Sequence, residues 1–156
     1  MRMTNQGLFG AGLLAVAVAG VWLVTTLHSE RTVADTGART MTVVRLYTGT
    51  DNKSHFEDLQ VPLKDGGKVG FLSEKVPATG VLFRETLGDY NYDFHTAPRR
   101  QYVVNLEGEV EIEVGDGTKR VLRSGDVLLA EDTTGQGHIS RAINGKPRKS
   151  LFIMLD

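Results

Sequence analysis

Past residue 40 the apolar and polar positions alternate with a period close to two, the mark of strands with one face on a core and the other in water. Residues 41–47 form the first predicted strand, and the turn-rich Thr48-Gly-Thr-Asp-Asn52 ends it. Further strands are predicted over 80–86, 101–106, 109–114, 119–123, 127–130, 138–143 and 150–155. Turn chemistry separates them at Lys64-Asp-Gly-Gly-Lys68, Gly115-Asp-Gly117, Ser124-Gly-Asp126 and Asn144-Gly-Lys-Pro147. The cleanest alternation sets Glu109, Glu111 and Glu113 on one face and Val110, Ile112 and Val114 on the other. Three carboxylates in a row repel one another, so this row reads as a solvated strand face and not as a metal site. No stretch after residue 40 has helical periodicity. Short, regularly spaced strands with glycine turns predict an all-β sandwich or barrel. Its edges must be closed or covered by a second copy.

The first part of the chain breaks the pattern. Residues 8–27 carry no charged side chain, and as a helix they would cross a bilayer core of about 30 Å. Arg2 precedes the run. One reading is a cleaved secretory signal, with Ala17-Val18-Ala19 or Thr32-Val33-Ala34 as the small-x-small site. The other is an uncleaved anchor with Trp22 at the outer interface. Either sends the remainder across the cytoplasmic membrane. The protein is then anchored and facing the periplasm, or periplasmic or secreted after cleavage. The expected organisation is a signal or anchor over 1–30, a polar linker over 31–40, and one β domain over 41–156.

A formal net charge of -1 over 156 residues gives no electrostatic footprint for nucleic acid. Cysteine is absent, which excludes disulfides, thiolate zinc sites and a cysteine nucleophile. No Gly-x-Ser-x-Gly elbow, phosphate loop or dinucleotide fingerprint is present.

Chemistry concentrates in His95-Thr-Ala-Pro-Arg-Arg-Gln101-Tyr-Val-Val-Asn-Leu-Glu-Gly108, followed by Gly125-Asp126 and Gly137-His138. This arrangement resembles the two signature motifs of the cupins. Gly88 leads to His95 with one residue more than the usual spacing, and Ala97 stands at the second histidine position. Gln101 stands where the motif has glutamate, and Gly108 lies at the expected distance. Gly125-Asp126 opens the second motif, Glu131-Asp-Thr-Thr134 replaces its Pro-x-Gly, and Gly137-His138 arrives after a small insertion with Asn144 near the close. The resemblance covers 41–156. It implies an antiparallel cupin-type β-barrel, a jelly roll, preceded here by the apolar N-terminal helix. It also implies a divalent transition metal held at His95, Gln101 and His138, and a homodimer.

The residues themselves weaken the metal expectation. Ala97 cannot ligate, Gln101 is a neutral amide, and two imidazoles bring no negative charge to offset a cation. His55 or Glu57 supplies a missing ligand only if its strand lines the cavity; otherwise His55 is a surface histidine. Glu85, alternating with Val81 and Phe83, either faces inward or is an exposed residue paired with an arginine. Arg99 and Arg100 either guide an anionic substrate to the cavity mouth or form a solvated turn. Two functional expectations result. One is an envelope module that binds a small molecule in its barrel, with a degenerate metal site. The alternative is a metal-dependent cupin enzyme, an isomerase or an oxygenase.

Overall fold

The structure, a computed structural model, describes residues 39–155. The predicted signal or anchor over 1–30 and nearly all of the linker lie outside the described residues.

Among the described residues twelve strands follow one another: β1 (Thr40–Thr48), β2 (Ser54–Pro62), β3 (Lys64–Asp65), β4 (Phe71–Leu72), β5 (Gly80–Thr86), β6 (Asn91–His95), β7 (Gln101–Glu107), β8 (Val110–Glu113), β9 (Lys119–Leu122), β10 (Val127–Glu131), β11 (His138–Ala142) and β12 (Arg148–Met154). Strands β5 to β12 form two four-stranded layers, ordered β5-β12-β7-β10 and β6-β11-β8-β9. Four of the first five connections from β5 onward change sheet, and this interleaved order is that of a jelly roll. β1 and β2 extend the first layer beyond β10, giving a six-stranded sheet. The β1–β10 pair is parallel, a departure from the all-antiparallel expectation. It is possible because a long stretch of chain separates the two strands, whereas a tight hairpin would force them antiparallel. Residues 64–72 form a separate small hairpin, β3–β4.

Eight of these strands coincide with the eight read from alternation. The two substantial ones that alternation missed, β2 and β6, are both at sheet edges. β2 carries His55, Glu57 and Asp58 amid its apolar residues, and β6 is the short Asn-Tyr-Asp-Phe-His with a register shift. Neither shows the half-buried period that marks an inner strand.

The core lies between the layers. Val110, Ile112 and Val114 of the β8 segment are buried there with Leu46, Val103 and Leu128. The carboxylates that alternate with them face outward and are paired. Glu113 accepts from Arg141 at 2.6 Å, Glu111 from Lys119 at 3.1 Å, and Glu109 lies 3.2 Å from Arg123. Such exposed pairs contribute little each, about 0–1 kcal/mol, and the apolar face does the anchoring.

Candidate binding cavity

A cavity of about 430 Å³ opens between the two layers. His95, Gln101 and His138 all line it. His55 and Glu57 do not. They sit on edge strand β2, where His55 Nε2 is 2.9 Å from Asp51 Oδ1 and Glu57 accepts from Arg45 at 2.8 Å. Glu85 is also turned away: it is exposed and stands opposite Lys149, while Leu82 and Arg84 take the inward positions of β5. Of the paired arginines in the loop, Arg100 donates to Glu131 at 2.9 and 2.7 Å, and Arg99 lines the cavity.

His95 and His138 face each other in register on the adjacent strands β6 and β11. Their ring centroids are 4.3 Å apart with planes at 51°. Two backbone devices make this possible. Gly137 has φ +76°, and a Cβ there would lie 2.1 Å from the His95 carbonyl oxygen. Only glycine therefore lets the two strands approach at this point. The second device is a bulge. Between the pairs His138↔His95 and Ser140↔Tyr92, β6 spends one more residue than β11. Normal alternation would send Tyr92 and His95 to opposite faces; the extra residue returns both to the cavity, stacked with centroids 3.9 Å apart. The surplus residue in the Gly88-to-His95 spacing is accommodated in this way.

Each imidazole is fixed through Nδ1. The His95 Nδ1 lies 2.7 Å from the Asp93 carbonyl oxygen, which can only accept, so Nδ1 carries the hydrogen. The His138 Nδ1 lies 2.6 Å from Oδ2 of Asp132, a fully buried carboxyl that also accepts from Ser54 Oγ at 2.8 Å. With the carboxylate accepting, the hydrogen again sits on Nδ1. The Asp132 carbonyl meanwhile accepts from the Ala97 amide at 3.1 Å. Both Nε2 atoms are left without a protein partner among the described residues.

Further polar groups of the cavity include Tyr90, whose hydroxyl is 2.8 Å from Ser140 Oγ, Tyr92, Thr96 and the arginines Arg84, Arg99 and Arg148. No aspartate or glutamate lines it among the described residues. The donor set suits a divalent ion poorly. Nδ1 anchoring is the arrangement metal-binding histidines have. A third strong ligand is missing, however, and no group of three His, Cys, Asp or Glu side chains converges among the described residues. Gln101 offers only an amide, and the nearby guanidiniums oppose a second cation.

The two motif histidines thus meet inside a jelly roll, from the strands where the motifs place them. This is a cupin fold. The strand order and the placement of His95 and His138 identify it. The chain is also similar, distantly, to several solved structures. Protein NMB1881 from Neisseria meningitidis shares 21% identity over 49% of this chain and 72% of that one, with TM-score 0.39. The Cnp3 cupin domain of Schizosaccharomyces pombe shares 10% over 77% and 86%, with TM-score 0.39. The dTDP-6-deoxy-D-glucose-3,5-epimerase RmlC of Legionella pneumophila, solved with dTDP-4-keto-L-rhamnose, shares 12% over 75% and 72%, with TM-score 0.38. No family model and no curated protein matches the chain.

Sequence reasoning missed Asp132, Ser54, Tyr92, Arg84 and Arg148. Asp132 occupies the stretch that departs from the cupin Pro-x-Gly, and that departure was the available signal.

Burial, reinforced by the neighbouring His138, holds the His95 imidazole below its ordinary pKa. The neutral ring is therefore favoured in the fold, and the unfolded chain takes up the proton first. This contribution to stability is complete above about pH 6.5 and is lost as pH falls from there through the folded value. The carboxylates held low by arginine and lysine, such as Glu113, lose their contribution only in a lower window, beginning around pH 4. Thermal melts between pH 8 and 5 should show the melting temperature falling below about pH 6.5, and His95→Gln should flatten that limb. An unchanged limb in the variant would contradict the assignment.

Proposed function

We propose that this cupin-fold domain binds a small molecule in its barrel and is not organised around a tightly held metal. One observation carries the reading. Two imidazoles are clamped side by side through Nδ1, and both Nε2 atoms remain for a guest in a cavity of about 430 Å³ with no carboxylate in its wall. Apolar walls with a few convergent polar groups are the ordinary composition of a small-molecule site. Ala97, where a second histidine stands in the cupin motif, is buried in the cavity wall at 4% exposure, so volume is available where a ligand to metal would otherwise project. The uncharged run over 8–27 supports an envelope location, anchored or released after cleavage.

A second reading, an isomerase-class enzyme working by proton transfer, is favoured by the Asp132–His138 pair. A carboxylate behind Nδ1 fixes the tautomer and leaves Nε2 basic, as a general base requires. The Tyr90 hydroxyl lines the same cavity and is a candidate proton donor.

A screen of small metabolites by saturation-transfer NMR should return binders of the wild-type protein that Ala97→Trp loses. Binders indifferent to Ala97→Trp, or stoichiometric iron, manganese, zinc, nickel or copper that disappears in the His95→Ala, His138→Ala double variant, would defeat the binding-module reading.

For the enzymatic reading, a bound ligand incubated in deuterium oxide should gain deuterium at carbon with the wild-type protein and not with Asp132→Asn. No incorporation by the wild type leaves binding as the whole function.

A further inference from the structure

Among the described residues, no carboxylate in the cavity wall balances its guanidiniums. Arg148 is 7% exposed, lines the cavity, and has no hydrogen bond or ion pair from its guanidinium among the described residues. Arg84, on the neighbouring strand, has no hydrogen bond or ion pair from its guanidinium among the described residues, and the ring centroids of Tyr90 and Phe152 lie 5.2 and 5.6 Å from it. The register pairs Arg148 with Thr86 and Arg84 with Ser150, so the arginines are diagonal neighbours on the inward face of β5 and β12. Arginines on the outer surface fare differently. Arg45, Arg120 and Arg141 each find a carboxylate. Thr86 Oγ1 and Ser150 Oγ, on the same inward face as the two arginines, are buried without a hydrogen-bond partner.

A buried guanidinium without a counter-charge is costly, and a second one beside it adds repulsion. Burial, with the charge of Arg84 next, holds the Arg148 guanidinium below its ordinary basicity. Arginine nevertheless stays protonated near neutral pH. A guest oxyanion would supply the missing charge, and the guanidinium fork matches its geometry.

We propose that the cavity takes an amphipathic organic anion, with its carboxylate or phosphoryl head between Arg84 and Arg148. This rests on the small-molecule reading above and names the ligand class. The walls dictate the rest of the molecule. Leu82, Phe152 and Val103 lie side by side across β5, β12 and β7, one step from the arginines. Gly80, Met154 and Gln101 form the row beyond, four residues from Arg84 along β5. At the strand rise the two ends are about 13 Å apart. The ligand is an anion with an apolar body and a tail that reaches the level of Gln101.

Isothermal titration of the full chain near pH 7 tests this with octanoate, monooctyl phosphate and neutral octan-1-ol. Both anions should bind about tenfold or more tighter than octanol, and the tighter of the two identifies the head group. Arg148→Met should lose about tenfold in affinity for the anions and leave octanol unchanged, while the ligand-free variant melts no lower than wild type. Arg84→Met, at a less buried position, should show the same loss and carries the test should Arg148→Met fail to fold. Octanol binding as tightly as the anions, or anion binding unmoved in the arginine variants, overturns the inference while the cavity remains a binding site. If none of the three binds, the inference falls, and the Ala97→Trp screen decides separately whether the cavity takes guests.

Discussion

One buried carboxyl ties the site together. Asp132 lies in the connection between β10 and β11, and its side chain reaches Ser54 at the start of β2 and His138 at the start of β11. Its carbonyl takes the amide of Ala97, in the segment that follows β6. Three parts of the barrel mouth are therefore referred to a single residue that has no exposure to water. Hydrogen bonds to such a group are each worth about 1.5–3 kcal/mol, because leaving one unmade strands a buried polar atom. The orientation of His138 depends on this constraint, and His95 beside it is held by the Asp93 carbonyl.

Around that hub, the backbone concedes regularity where the chemistry needs it. A bulge in β6 turns Tyr92 and His95 to the same side, and Gly137 gives up a side chain so that β11 can approach. Local departures of this kind persist when the surrounding structure over-determines them, and they cluster at functional sites. Arg148 and Arg84 belong to the same class of departure. Unbalanced cations inside a barrel lower stability, and the anionic guest proposed above would complete their charge. The cavity wall therefore combines the paired imidazoles with an apolar belt of Leu82, Phe152 and Val103, with Arg84 and Arg148 on one side of the belt and Arg99, beside Met154, on the other.

Much of this was legible in the sequence, and the gaps have physical causes. Glycine turns and period-two alternation located β1, β5 and β7 to β12, from residues 41–47 to 150–155. The two substantial ones that escaped, β2 and β6, are edge strands; polar residues interrupt the alternation of β2, and β6 is bulged. The motif spacing brought His95, Gln101 and His138 into one cavity. The same spacing concealed its own anomaly, since the surplus residue before His95 becomes interpretable only as a bulge. Both parities of β5 carry apolar residues, so Val81 and Phe83 with Glu85 compete with Leu82 and Arg84 for the inward face, and sequence alone does not decide between them. The predicted last strand began at Ser150, which left Arg148 in the preceding loop. Asp132 sits between strands, where no periodicity reports burial.

The most direct measurement is a long-range ¹H–¹⁵N correlation spectrum of the histidine imidazoles, recorded on the folded protein with ring-to-ring nuclear Overhauser contacts. The account predicts that His95 and His138 are both Nδ1–H tautomers with an Overhauser contact between the two rings. An Nε2–H tautomer at either position, or rings with no contact, would contradict it.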